Sequence, residues 1–147
     1  MAHFIATVPT ALTPEDAFAY MADVTRFADW DPGVLRVVQV RGIGHGLGSA
    51  YDLTVQAGGT TVMRYEVRVF EPPRRIVWVA RTTMLTSVDE VLVEAHGDGS
   101  AVTYDARLTL NGPLRLLDSL LAVAFRRIGD RAAEGLHRQL SAQASAG

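Results

Sequence analysis

The residues of this chain best placed for chemistry are the acids of one strand-like segment, Ser87-Val88-Asp89-Glu90-Val91-Leu92-Val93-Glu94-Ala95. Side chains alternate across a strand, so Asp89 faces inward if Val91 and Val93 do, and Glu90 faces inward if Val88 and Leu92 do. One carboxyl near the end of the segment could therefore meet a cavity, where loss of water raises its pKa and equips it as a general acid or base. Asp89 is the preferred candidate. The competing reading leaves both acids beyond the buried part of the strand, in solvent.

Tyrosines supply the next group. Tyr51, Met63, Tyr65, Trp78 and Tyr104 fall on the apolar sides of their strand-like segments. A plain sheet core accounts for apolar residues at such places. It accounts less well for three tyrosines, because each buried phenol needs a hydrogen-bond partner. Trp30 precedes Asp31-Pro32, where its ring could close one end of a cavity or simply anchor a corner.

Other reactive types are poorly placed. His3, His45, His96 and His137 lie near a terminus, in a glycine-rich run, beside a glycine turn and on the polar side of a helix. They read as exposed, and none has a partner at metal-ligand spacing. The run from Gly42 to Gly48 lacks the lysine and Ser/Thr of a phosphate loop and reads as a mobile segment at a cavity mouth. Arg64, Glu66 and Arg68 form a solvated face. Arg81 could reach inward to an acidic headgroup, but outward is favoured. Nothing in the residue pattern calls for a cofactor or a metal.

These side chains need elements to hold them. Residues 3 to 8 read as a strand closed by Pro9, and Thr13-Pro14-Glu15-Asp16 supplies an N-cap, a proline at the first helical position and acids in the first turn. Asp23 to Asp31 reads as a second short helix or turn. From Val34 to Leu110 the apolar period is two, with strands at Val34–Arg41, around Tyr51–Val55 and Met63–Val69, and at Ile76–Thr82, Ser87–Ala95 and Ala101–Leu110. Gly58-Gly59 and Gly97-Asp98-Gly99-Ser100 mark tight turns.

Asn111-Gly112-Pro113 then opens one long apolar helix. At 100° per residue, Leu114, Leu117, Leu121, Ala124, Phe125, Ile128, Ala132 and Gly135 make one stripe, widened by Leu116, Leu120 and Val123. That arc is too wide for a helix with a sheet on one side and water on the other. A lid, a cavity with its ligand, a second subunit or a lipid surface would have to cover residues 114 to 125. About 28 helical residues span roughly 42 Å, enough to cross a sheet. The expected site is Trp30, Tyr51, Met63, Tyr65, Trp78, Asp89, Tyr104, Leu117, Leu121 and Phe125.

A chain of 147 residues, 48% hydrophobic, is the size of one domain, expected to fill residues 1–147 with a fraying tail from Ser141. A net charge of −2 argues against nucleic acid. The absence of cysteine rules out disulfides, thiolate metal sites and a cysteine nucleophile. No apolar run reaches the roughly 20 residues of a membrane span and no secretion signal opens the chain, so a cytoplasmic protein without stable membrane insertion is expected.

The order of strand, two short helices, six strands and long final helix is similar to the helix-grip fold of the START-like superfamily. Within it the chain most resembles the bacterial branch of polyketide cyclase/dehydrase and lipid-transport-like proteins. Thr13-Pro14-Glu15-Asp16-Ala17-Phe18, Trp30-Asp31-Pro32, Glu71-Pro72-Pro73-Arg74-Arg75-Ile76, Gly97-Asp98-Gly99-Ser100 and Gly112-Pro113-Leu114 carry the resemblance. It implies an α+β fold in which a curved antiparallel sheet of about seven strands wraps the last helix around an apolar cavity.

Three functions compete. The leading one is a carrier or sequestering module for a hydrophobic small molecule such as a lipid, isoprenoid, quinone or polyketide. The second is a cyclase or dehydrase in which Asp89 or a tyrosine transfers a proton in the same cavity. The third is an interaction protein that uses Leu116, Leu120 and Val123 against a second copy, as a homodimer, or against a membrane. Fold alone does not choose among them.

Overall fold

The computed structural model describes residues 2–56 and 59–146, without the side chains at positions 115, 118–121 and 146. Its elements are β1 (Ala2–Thr10), α1 (Pro14–Ala22), a single 3₁₀ turn Val24–Arg26, α2 (Phe27–Trp30), β2 (Val34–Arg41), β3 (Ala50–Gln56), β4 (Thr60–Glu71), β5 (Arg75–Arg81), β6 (Leu85–His96), β7 (Gly99–Leu110), a 3₁₀ segment Gly112–Leu117 and α3 (Asp118–Ala146). The strands form one sheet in the order β1-β7-β6-β5-β4-β3-β2. Every neighbouring pair is antiparallel.

Local chemistry sets the boundaries. Thr13 Oγ1 accepts from the Asp16 N–H at 3.2 Å, and Pro14 opens α1 behind this cap. Pro9 does not close β1: it pairs with Ala101 inside the strand, which an edge strand tolerates because one side of its backbone has no partner. Register shifts at Leu35, Val40 and Arg68 leave single residues unpaired in β2 and β4. Bulges of this kind bend a strand, and here they fall in the strands at the far side of the sheet from β1.

One sheet face is apolar and packs against the helices. Leu53 on β3, Met63 and Val67 on β4, Ile76, Trp78 and Ala80 on β5, Val91 and Val93 on β6, and Val102 and Ala106 on β7 are all buried there. In β6 this settles the parity: Ser87, Asp89, Val91 and Val93 point in. Arg81 is exposed on the other face.

The last helix departs from expectation at both ends. Residues 112–117 are 3₁₀, with three residues per turn, so a wheel drawn at 100° does not describe them. Leu117 is 49% exposed, Leu116 88% and Val123 63%. The side chains of Leu120 and Leu121 lie outside the described residues, as does Gly58 of the expected hairpin. From Phe125 onward the stripe holds: Phe125 and Ile128 are half-buried, and Ala132, Leu136 and Leu140 are fully buried. Beyond Ser141, where a fraying tail is expected, α3 continues to Ala146 through three alanines, the strongest helix formers.

Two glycines on α3 fix where the helix lies. A Cβ on Gly135 would stand 1.9 Å from the Trp30 carbonyl oxygen, and one on Gly129 would stand 2.3 Å from the Phe4 ring. Both contacts need a missing side chain, and they bring α3 down onto α2 and β1.

Candidate functional site

Sheet register assembles a polar row inside the apolar face. Tyr65 on β4 pairs with Ala80 on β5, and Ala80 pairs with Ser87 on β6. Alanine's small side chain lets the phenol reach across it, and Tyr65 donates to Ser87 Oγ at 3.1 Å. Ser87 donates to Asp89 Oδ1 at 2.9 Å, and Tyr104 on β7 donates to Asp89 Oδ2 at 2.6 Å. Tyr65, Ser87, Asp89 and Tyr104 thus form one chain of hydrogen bonds with the carboxylate as its acceptor. All four are buried.

Burial and hydrogen bonding act in opposite directions on Asp89. Loss of water is the larger effect and pushes its pKa up to about 6, while Tyr104 and Ser87 hold it down by stabilising the charged form. Nearby Asp31 pushes it further up. Desolvation also raises Asp31, against a lowering contribution from the Gly33 N–H that donates to its Oδ1 at 2.8 Å. Both phenols are raised, first by desolvation and then by the Asp89 charge, and so keep their protons.

These groups wall a cavity of about 130 Å³ between the sheet, α2 and the first half of α3. An engineered cavity of roughly 150 Å³ takes up benzene, so this one has room for about one ring. Phe27, Leu53, Met63, Ala106, Phe125 and Ile128 supply apolar walls, and Asp31, Gln56, Tyr65, Ser87, Asp89 and Tyr104 supply the polar ones. Among the described residues no cluster of three or more histidines and acids is arranged to hold a metal.

Of the residues expected at the site, Met63, Tyr65, Asp89, Tyr104 and Phe125 meet in this cavity. Trp30, Tyr51, Trp78 and Leu117 do not line it, and the Leu121 side chain is outside the described residues. The two tryptophans are packing anchors. Trp30 meets Phe27 at 5.0 Å and Tyr104 edge-on at 5.5 Å, and Trp78 meets Phe27 edge-on at 5.3 Å. Trp30 therefore holds the Tyr104 ring without facing the cavity itself.

Tyr51 is buried but its hydroxyl turns to the glycine-rich segment, lying 2.9 Å from His45 Nδ1. That segment is not at the cavity mouth. It folds back beside its own strands, with Gln39 donating to the Gly44 carbonyl at 2.7 Å and Arg41 donating to the Gly48 carbonyl at 3.1 Å. Positive φ angles at Gly42, Gly44 and Gly48 permit that path. His45 and His3 are also less free than expected: His45 Nε2 is 3.6 Å from Asp23, and His3 Nε2 is 2.8 Å from Asp105. Leu117 misses the cavity because it belongs to the 3₁₀ segment rather than to the helical stripe.

Sequence reasoning did not single out Ser87 or Asp31. Ser87 shares the parity of Asp89, so the signal was present once the strand's inward face was known. Asp31 precedes a proline and a glycine and reads as an ordinary turn residue, which its bond to Gly33 also makes it.

The buried carboxyl has a consequence for stability. Folded Asp89 keeps its proton to about pH 6, whereas an unperturbed aspartate gives it up near 3.8. The native state binds the extra proton between those values, so raising the pH through that window destabilises the fold by up to about 3 kcal/mol. Asp89→Asn cannot ionise. In urea denaturation its stability relative to the parent protein should improve by about that amount between roughly pH 4 and pH 7.5. If the two pH profiles run parallel instead, Asp89 does not titrate in a buried state.

The family of polyketide cyclases/dehydrases and lipid-transport proteins matches residues 1–141. No curated protein matches the sequence. Among solved structures, the chain is similar to a START superfamily protein from Mycobacterium smegmatis, with TM-score 0.78 and 13% identity over 95% of this chain and 97% of that one. It is similar to a Thermus thermophilus protein at TM-score 0.77 and 15% identity, covering 94% and 96% of the two chains. The Zhui aromatase/cyclase from Streptomyces sp. R1128 superposes at TM-score 0.75 with 15% identity, over 97% and 93%. At such identities the structures share the fold. With the sheet gripping α3 and the family match spanning nearly all of its length, the chain belongs to the polyketide cyclase/dehydrase and lipid-transport family.

Proposed function

We propose that this protein binds a hydrophobic small molecule of about one ring in width between its sheet and α3. The observation that carries this reading is the largely apolar cavity of about 130 Å³ that the described side chains leave unfilled. Apolar contact supplies the affinity, at roughly 25 cal/mol for each Å² removed from water, and the few polar groups orient the guest. Carriers and sequestering proteins need no more than this. Among the described residues no helix is long and apolar enough to cross a membrane.

A second reading is favoured by one specific observation. A carboxyl with a pKa of about 6 hydrogen-bonded to a phenol in the cavity wall is suited to proton transfer near neutral pH. In this reading the protein is a cyclase or dehydrase, and Asp89 takes or gives the proton. Enzyme and carrier would share the same cavity and differ in what the guest brings to Asp89.

Two experiments separate these readings from their failures. Ala106 is buried in the cavity wall, so Ala106→Met fills the space without adding a polar group. Toluene titrated into the parent protein should shift the amide NMR signals of Met63, Ser87 and Ala106, and the variant should weaken that binding about tenfold or abolish it. Equal toluene binding in both proteins, or none in the parent, contradicts the binding reading. For the second reading the probe is 1,2-benzisoxazole, which opens to a cyanophenolate when a base removes one carbon-bound proton. Turnover that rises with pH through about 6 and is lost in Asp89→Asn supports it, and a rate equal to buffer contradicts it.

A further inference from the structure

Among the described residues the polar groups of the cavity carry no positive charge, and one of them, the carboxamide of the exposed Gln56, is neutral. Asp31 and Asp89 are acids, Tyr65, Ser87 and Tyr104 are hydroxyls, and among the described residues no arginine, lysine or histidine lines the space. The described basic residues next to lining positions in sequence are exposed: Arg26 beside Phe27, Arg64 between Met63 and Tyr65, Arg107 between Ala106 and Leu108, and Arg126 and Arg127 on α3.

The hydroxyl protons are already committed. Tyr65 gives its proton to Ser87, and Ser87 and Tyr104 give theirs to Asp89. Apart from the Gln56 carboxamide, what remains for a guest is acceptor capacity. Each carboxylate has lone pairs beyond those in use, and each phenol oxygen retains two. Asp31 accepts from the Gly33 N–H through one oxygen, and its second oxygen has no donor among the described residues.

We infer that the cavity selects a ring-bearing guest whose polar group donates hydrogen bonds, a hydroxyl or an ammonium, and rejects guests that carry a carboxylate. This rests on the reading that the cavity binds a small molecule. A donor meets unused lone pairs at Asp31 and Asp89, whereas an anion meets the two acids with no cation and no free hydroxyl proton among the described residues to offset them. Fatty acids and other acidic amphiphiles are thereby excluded, and neutral phenolic or alcoholic rings and aromatic amines fit.

A series of one-ring probes of similar size tests this: toluene, benzyl alcohol, benzylamine as its ammonium and benzoate, each titrated into the full chain at about pH 8, where Asp89 is ionised. Binding is read from the amide signals of Met63, Ser87 and Ala106. Benzyl alcohol and benzylammonium should bind about tenfold or more tightly than benzoate. Asp89→Asn should shrink the benzylammonium advantage at least about threefold, and Asp31→Asn serves as the second variant should the first fail to fold. Benzoate binding as tightly as benzylammonium, with toluene also binding, overturns this inference and leaves the cavity-binding reading intact. If none of the four probes moves those signals, the cavity-binding reading falls and takes the inference with it.

Discussion

Everything in this molecule that bears on function follows from how closely α3 approaches α2. Gly135 lies so near the Trp30 carbonyl that even a methyl group would collide with backbone, and Gly129 meets the Phe4 ring in the same way. The helix is thereby pinned from Gly129 onward, where Ala132, Leu136 and Leu140 are buried. A helix is nearly straight and the sheet is curved, so contact along one stretch opens a gap along another. The gap lies beneath Phe125 and Ile128, and it is the cavity.

Trp30 links that constraint to the chemistry. Its backbone receives the helix and its ring packs edge-on against Tyr104, whose hydroxyl holds Asp89. A charge buried this deeply would be costly without partners. Here two hydroxyls bond to the carboxylate, and a third extends the chain through Ser87. Their effect is only partial, which is why the group titrates near 6 rather than at its ordinary value. An apolar cleft with one such group is a common basis for both carriage and proton transfer, and the description of the family to which the chain belongs names cyclases, dehydrases and lipid transport.

Much of the fold was legible in the residues. The period-two segments, the Thr13-Pro14 helix start and the terminal apolar helix define seven strands and a grip, and they lie where expected within a few residues. The site was legible only in part. In β6 both parities are apolar, so alternation could not choose between Asp89 and Glu90; the choice depends on which face meets the helices, a tertiary fact. Tyr51 and Trp78 share the inward face with Tyr65, yet only Tyr65 reaches the cavity, because position along the strand decides that and period does not. Leu117 escapes the helical wheel because its segment winds as 3₁₀. The glycine-rich segment lies away from the cavity mouth because glycine signals permissive backbone, not location.

The central claim is that the space between sheet and helix is unfilled and apolar on most of its wall. Xenon enters such spaces without needing any polar contact. A crystal of the protein pressurised with xenon should show an atom enclosed by Leu53, Met63, Phe125 and Ile128, within the cavity of about 130 Å³. An interior with those four side chains closed against one another and no xenon between them would contradict the account.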